Sequence, residues 1–168
     1  MTMTITAWIA SLMSRELASY SRELDLFPDE ALIWATAPGV SNSAGNLALH
    51  VAGNLQHFVG ATLGDTGYVR DRDFEFSARG LSREALHAEL STASRVVTAV
   101  LGSFPESRLQ EIYPDILGGG VRLPTGLFLQ HLSSHLAFHL GQVGYLRRVL
   151  TQSSESSGAL SMKALPSE

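Results

Sequence analysis

The sequence predicts an all-α fold, a bundle of four long helices, on three observations. Apolar residues recur at steps of three and four through four separate segments. Loops rich in Gly, Pro and Ser divide those segments, and no two-residue alternation runs long enough to build a sheet.

The first helix is expected over residues 4 to 24, where Ile5, Ile9, Leu12 or Met13, and Leu17 keep helical spacing. "LFPDEALIW" reads as a turn with one short helical piece. "TAPGVSNSAGN" is a loop in which Ser41 or Ser43 can cap a second helix from Asn46 to Leu63, stopped at Gly64. "GDTGYVRDRDFEFSARG" has no sustained period, and its length suits a long crossover between helices two and three. Ser82, followed by Glu84 in the first turn, caps a third helix through Leu101, with Leu86, Leu90, Ala93, Val97 and Val100 on one face. After Gly102, Pro105 and the loop "YPDILGGGVRLP", Thr125 is the expected cap of a fourth helix reaching Leu150. Residues 1–150 thus form one bundle, and residues 151–168 a serine-rich tail, either mobile or docked as a short helix through "ALSMKAL".

Composition narrows the function. A net charge of -4 leaves no basic stripe for phosphates, so no nucleic-acid partner is expected. Without cysteine there is no disulfide, thiolate metal site or cysteine nucleophile, and any thiol chemistry needs a thiol from outside. The opening "MTMTITAWIASLMSRELASY" lacks a basic start and is broken by Ser14, Arg15 and Glu16, so neither a signal peptide nor a membrane span is expected, and the cytoplasm is the expected compartment. Helices one and three carry Trp8, Ile9, Leu12, Met13, Val96, Val97, Val100 and Leu101, more apolar surface than one core requires, which predicts a homodimer.

Along helix four, positions 128, 132, 135, 139, 142, 146 and 149 form a seam that reads Phe, Leu, His, His, Gln, Leu, Val. Three polar residues between apolar layers ask for compensation, because burying a polar group without a partner costs about 1 to 3 kcal/mol. His135 and His139, one turn apart, can both reach one ion. Leu136 follows His135 where a metalloprotease HExxH motif has Glu, so that motif's general base is absent. Helix two offers His50 or His57 as a third ligand. Seven residues separate them, about 10.5 Å along the axis, so only one can sit level with the pair. His131 continues the histidine row as a rim residue, Asn54 lies between His50 and His57, and His87 reads as a surface residue.

"LHVAGNLQHFVGATLG", followed by "FLQHLSSHLAFHLGQVGYLRR", resembles the DinB-like superfamily, in particular a branch of uncharacterised bacterial proteins related to bacillithiol S-transferase-like and mycothiol-dependent enzymes. The resemblance spans residues 1 to 150 and implies a DinB-like four-helix bundle. It implies metal binding by His50, His135 and His139, with Gln142 as the Gln that follows the pair. It thereby selects His50 over His57 and the 135/139 pair over 131/135.

Three imidazoles leave positions on a divalent ion open, as in catalytic sites. Zinc, nickel or iron suits such a set. Asn54, His57, His131 and Gln142 are candidates to hold the imidazoles or meet a substrate. The expected function is a metal-dependent transferase activating a low-molecular-weight thiol, with a small molecule as partner. The alternatives are a hydrolase using metal-activated water and a non-catalytic, stress-related binder of metal or ligand. Arg70 and Arg72 either grip an anionic substrate or, as their acidic neighbours Asp71, Asp73 and Glu75 favour, sit in a solvated, self-paired loop.

Overall fold

Thr4 opens the first helix. Its hydroxyl accepts the Ala7 amide at 3.2 Å, and α1 runs Ile5–Asp25. The computed structural model describes residues 3–159 and 161–166, and among them the fold is all-helical, with only two isolated β-bridges, Ile112 to Pro124 and Leu117 to Val121. Asp29 caps the short α2, Glu30–Ile33, the one piece expected in that loop.

Ser43 caps α3, Ala44–Leu55, by accepting from the Asn46 amide. The helix continues as a π turn, Gln56–Ala61, and ends with Thr62–Gly64. The expected helix two is therefore present, but not as one unbroken α-helix. The crossover also carries a helix that its mixed charges concealed: α4, Arg72–Ser77, capped by Asp71 onto the Phe74 amide at 2.8 Å. Ser82 caps α5, Arg83–Ser103, which passes through Gly102 before Phe104 leaves the helical region.

The last long helix, α6, runs Thr125–Thr151. Thr125 is not its cap. Pro124 holds the capping position, and the Thr125 hydroxyl instead donates to the Glu111 carbonyl at 3.0 Å, tying the loop before the helix. Gln152 closes α6 in the left-handed region at φ 54°.

Helices α1 and α3 each pack against both α5 and α6. The buried seam of α6 is rotated from the expected one. Leu129, Leu132, Leu136, Leu140 and Val143 face the core, while His135 and His139 are half-buried at its edge and Gln142 and Val149 are exposed. An unbroken leucine stripe gains more from burial than one carrying two imidazoles and an amide, so the helix turns that stripe inward.

The apolar surplus expected on the first and third long helices is largely used within the chain. Ile9, Met13, Val97 and Leu101 are core residues. Val96 and Val100 pack over Gly60 and Gly64, and a Cβ on Gly60 would lie 2.8 Å from Val96 Cγ1. Trp8 stays 54% exposed. Between α1 and α6 lies a buried ion pair, Arg147 Nε to Glu23 Oε2 at 2.5 Å, where Arg147 also donates to the Glu155 carbonyl of the tail. Arg22 holds the Ser157 carbonyl at 2.9 Å, and farther on the tail shows a single 3₁₀ turn, Met162–Ala164, in place of the longer helix expected through "ALSMKAL", in which Leu160 lies outside the described residues.

Candidate metal centre

His50 projects from the middle of α3, and His135 and His139 from one flank of α6. One ligand atom from each lies within 4.8 Å of the others. His135 Nε2 sits 3.2 Å from His50 Nε2 and 3.1 Å from His139 Nε2. The rings meet edge to face, at 75° for His50 and His135 and at 88° for the other two pairs, so nitrogen edges converge rather than stack.

The far sides of two rings explain the convergence. His50 Nδ1–H donates to Glu75 Oε2 at 2.9 Å, and His139 Nδ1–H donates to Gln142 Oε1 at 2.7 Å. These bonds set the tautomer that leaves Nε2 free on each ring. Burial, followed by neighbouring His139 and His50, pushes His135 down to about 3, so near neutral pH it carries at most one ring proton. Burial also lowers His139, although its bond to Gln142 opposes the shift. A neutral His135 can donate through Nε2 to one neighbour only, yet it stands at hydrogen-bond distance from two. A cation among the three lone pairs removes that conflict, and the donor set therefore fits a divalent metal.

Glu75 is the residue that sequence reasoning missed. The expected self-pairing of the crossover is present, since Arg70 grips Glu75 through Nε at 2.6 Å and through its terminal nitrogen at 2.8 Å. The pair is not solvated, however: Glu75 is 3% exposed and faces His50. Burial raises its carboxyl, but the hydrogen bonds from His50 and Arg70 and the guanidinium charge outweigh that and hold it below the usual range. Arg70 is thereby committed to Glu75, and Arg72 lies over the Phe76 ring at 5.0 Å.

The crossover reaches α3 because α3 is built to receive it. Asn46 Nδ2 donates to the carbonyls of Glu75 and Ala78, and Gly53 supplies the space, because a Cβ there would lie 3.1 Å from Glu75 Cδ and closer still to Oε1. A glycine inside a helix costs about 0.5 to 1 kcal/mol relative to alanine. Gly53, one turn from His50, was the signal in the sequence that something polar docks there.

The remaining candidates divide. Gln142 touches His139, as described. His131 is exposed, stacks on Phe128 at 6.0 Å, and has its ring 6.2 Å from that of His135. His57 lies in the π turn against Phe58 and is outside the cluster. Asn54 touches none of the three histidines by hydrogen bond, and its Oδ1 is buried without a partner among the described residues. His87 pairs near the surface with Asp25.

The histidine arrangement has a parallel in known proteins: the sequence pattern of the DinB superfamily matches residues 12–143, which include all three histidines. The chain belongs to the DinB superfamily. No curated protein and no solved structure matches it. As a DinB superfamily member the chain has the all-α architecture expected, and a three-histidine group compatible with a metal. Among its described residues no helix is long and apolar enough to cross a membrane.

Proposed function

We propose that His50, His135 and His139 hold a divalent metal, and that the chain is a metal-dependent enzyme activating a low-molecular-weight thiol for transfer to an electrophile. The observation that carries the metal is the meeting of three Nε2 atoms with tautomers set from outside by Glu75 and Gln142. Three protein ligands are the number found where a metal does chemistry, structural sites being closed by four. Zinc, nickel and iron all accept imidazole. When bound, such an ion supplies the Lewis acidity that makes a neutral thiol or water nucleophilic near pH 7.

The chain's own part is to position. Glu75 orients His50 and offsets part of the ion's charge, Arg70 holds Glu75 in place, and Gln142 orients His139. The thiol reading rests on the absence of cysteine, which leaves the nucleophile to be brought in, and on the resemblance to thiol-dependent relatives. Hydrolysis by activated water uses the same ligands and is the second reading; a non-catalytic binder of metal or ligand is the third. Metal analysis of protein purified without immobilised-metal chromatography tests the site. A panel of low-molecular-weight thiols with a chromogenic electrophile, run beside ester substrates, then separates the three. Turnover requiring thiol and metal supports transfer, turnover by metal alone supports hydrolysis, and turnover in neither refutes both enzymes.

The proposal also includes a homodimer. Phe138, Tyr145 and Val149 of α6, at 63, 73 and 62% exposure, supply apolar surface of the kind that the first and third long helices have mostly buried.

A further inference from the structure

We propose that the cleft beside the histidine cluster binds an uncharged molecule with an apolar body, anchored by a hydrogen bond to Asn54. The cleft holds about 330 Å³ and lies between α3, α6 and the loop before α6. Phe58, Leu123, Phe128 and Leu132 give it apolar walls, and His135 opens one end of it to the cluster. No Lys, Arg, Asp or Glu lines it. A charged body lodged there would lose its hydration without gaining a counter-charge.

Asn54 is the feature that points to a ligand. It is only 7% exposed, it lines the cleft, and its side-chain amide makes no hydrogen bond among the described residues. Leaving such a group unpaired costs about 1 to 3 kcal/mol, where a leucine of similar shape would cost nothing of the kind. The amide can turn about its last torsion, presenting either its oxygen or its nitrogen to a bound molecule. A second cavity of similar size touches the site only through Gln142, whose oxygen is already taken by His139.

The helix sets the spacing. Asn54 follows His50 by one turn, which places its amide about 6 Å farther along α3. A molecule whose reactive atom meets the cluster therefore carries its hydrogen-bonding group, an amide, carbonyl or hydroxyl, about four or five bonds away. In the thiol-transfer reading this molecule is the electrophile. The substrate role rests on that reading; the cleft and its anchor do not.

Chemical-shift titration of the whole chain, both zinc-loaded and chelator-treated, with acetanilide, toluene and phenylacetate tests the proposal. Acetanilide should bind in both states and move the ring signals of His131 and His135. Asn54→Leu should weaken acetanilide on the order of tenfold, the loss of one hydrogen bond, and leave toluene unchanged. Phenylacetate should not bind the chelated protein. Val121→Trp, at an exposed position on the rim of the cleft, should weaken both neutral probes without touching the core, and it serves where Asn54→Leu fails to fold. Equal acetanilide affinity in wild type and a folded Asn54→Leu overturns the anchor, and no binding of either neutral probe overturns the cleft. Failure to take up zinc overturns the metal proposal alone, because the chelated arm is still read.

Discussion

Replacing Gly53 by alanine sets a local gain against a local clash. Alanine favours the helix by about 1 kcal/mol. Its Cβ, however, would lie 3.1 Å from Glu75 Cδ and 3.3 Å from Tyr68 Oη, and nearer still to Glu75 Oε1. The carboxylate cannot simply swing away, because two nitrogens of Arg70 and the His50 ring hold it. Overpacking of this kind costs about 1 to 3 kcal/mol, so the net change is a loss of about 0 to 2 kcal/mol. Displacing Glu75 from His50 should also weaken the metal about 10- to 100-fold, as loss of a group behind a ligating histidine does. Urea denaturation of chelated protein reads the first effect, and zinc competition against a chromophoric chelator reads the second. Adding Glu75→Asp shortens the acid and should relieve the overlap, leaving a measurable coupling between the two positions. A Gly53→Ala variant about 1 kcal/mol more stable than wild type, with unchanged zinc affinity, would refute the contact.

Other expectations follow from the same geometry. His50→Ala, His135→Ala and His139→Ala should each abolish stoichiometric metal, whereas His57→Ala should keep most of it; metal analysis after dialysis decides, and the reverse result on α3 refutes the assignment. In chelated protein, His135 binds its proton near 6.5 when unfolded but only near 3 when folded, so its contribution is complete above about pH 6.5 and is lost progressively as pH falls toward 3. Denaturation midpoints between pH 7.5 and 5 should therefore fall more steeply in wild type than in His135→Gln. Arg147→Met strands Glu23, 2% exposed, without its partner and should cost about 3 to 5 kcal/mol, most of it recovered by adding Glu23→Leu. Light scattering at micromolar concentration should give about twice the 18.1 kDa chain mass, and Tyr145→Asp should lower it; a wild-type mass at the single-chain value refutes the homodimer.

The long helices were legible because each carries its own period and stop signals: Ser82 with Glu84, Ser43 ahead of Asn46, and the glycines and prolines between. The pairing of His135 with His139 was equally local, one turn of one helix. What sequence spacing left open was which histidine of α3 completes the set, since that depends on how two helices meet; family resemblance supplied the choice. Glu75 was illegible for a similar reason. It lies 25 residues beyond His50, in a run containing Asp71 and Asp73, and nothing local distinguishes the one acid that is buried from those that are not. The seam of α6 was misread because Phe128, Leu132 and Leu146 fit either of two adjacent stripes, and the intervening leucines settled which one turned inward.

The π turn at Gln56–Ala61 amounts to an insertion that the backbone has absorbed. Removing one residue there would leave no gap in the chain. It would restore the ordinary ladder and swing all that follows by about 100° relative to His50. Gly60 and Gly64 would then leave Val96 and Val100, and bulkier side chains would be brought against α5. In any alignment of related chains, a one-residue gap in this helix thus marks a change of partner face. Substitutions at the valines of α5 should accompany it, while the residues around His50 need not change at all.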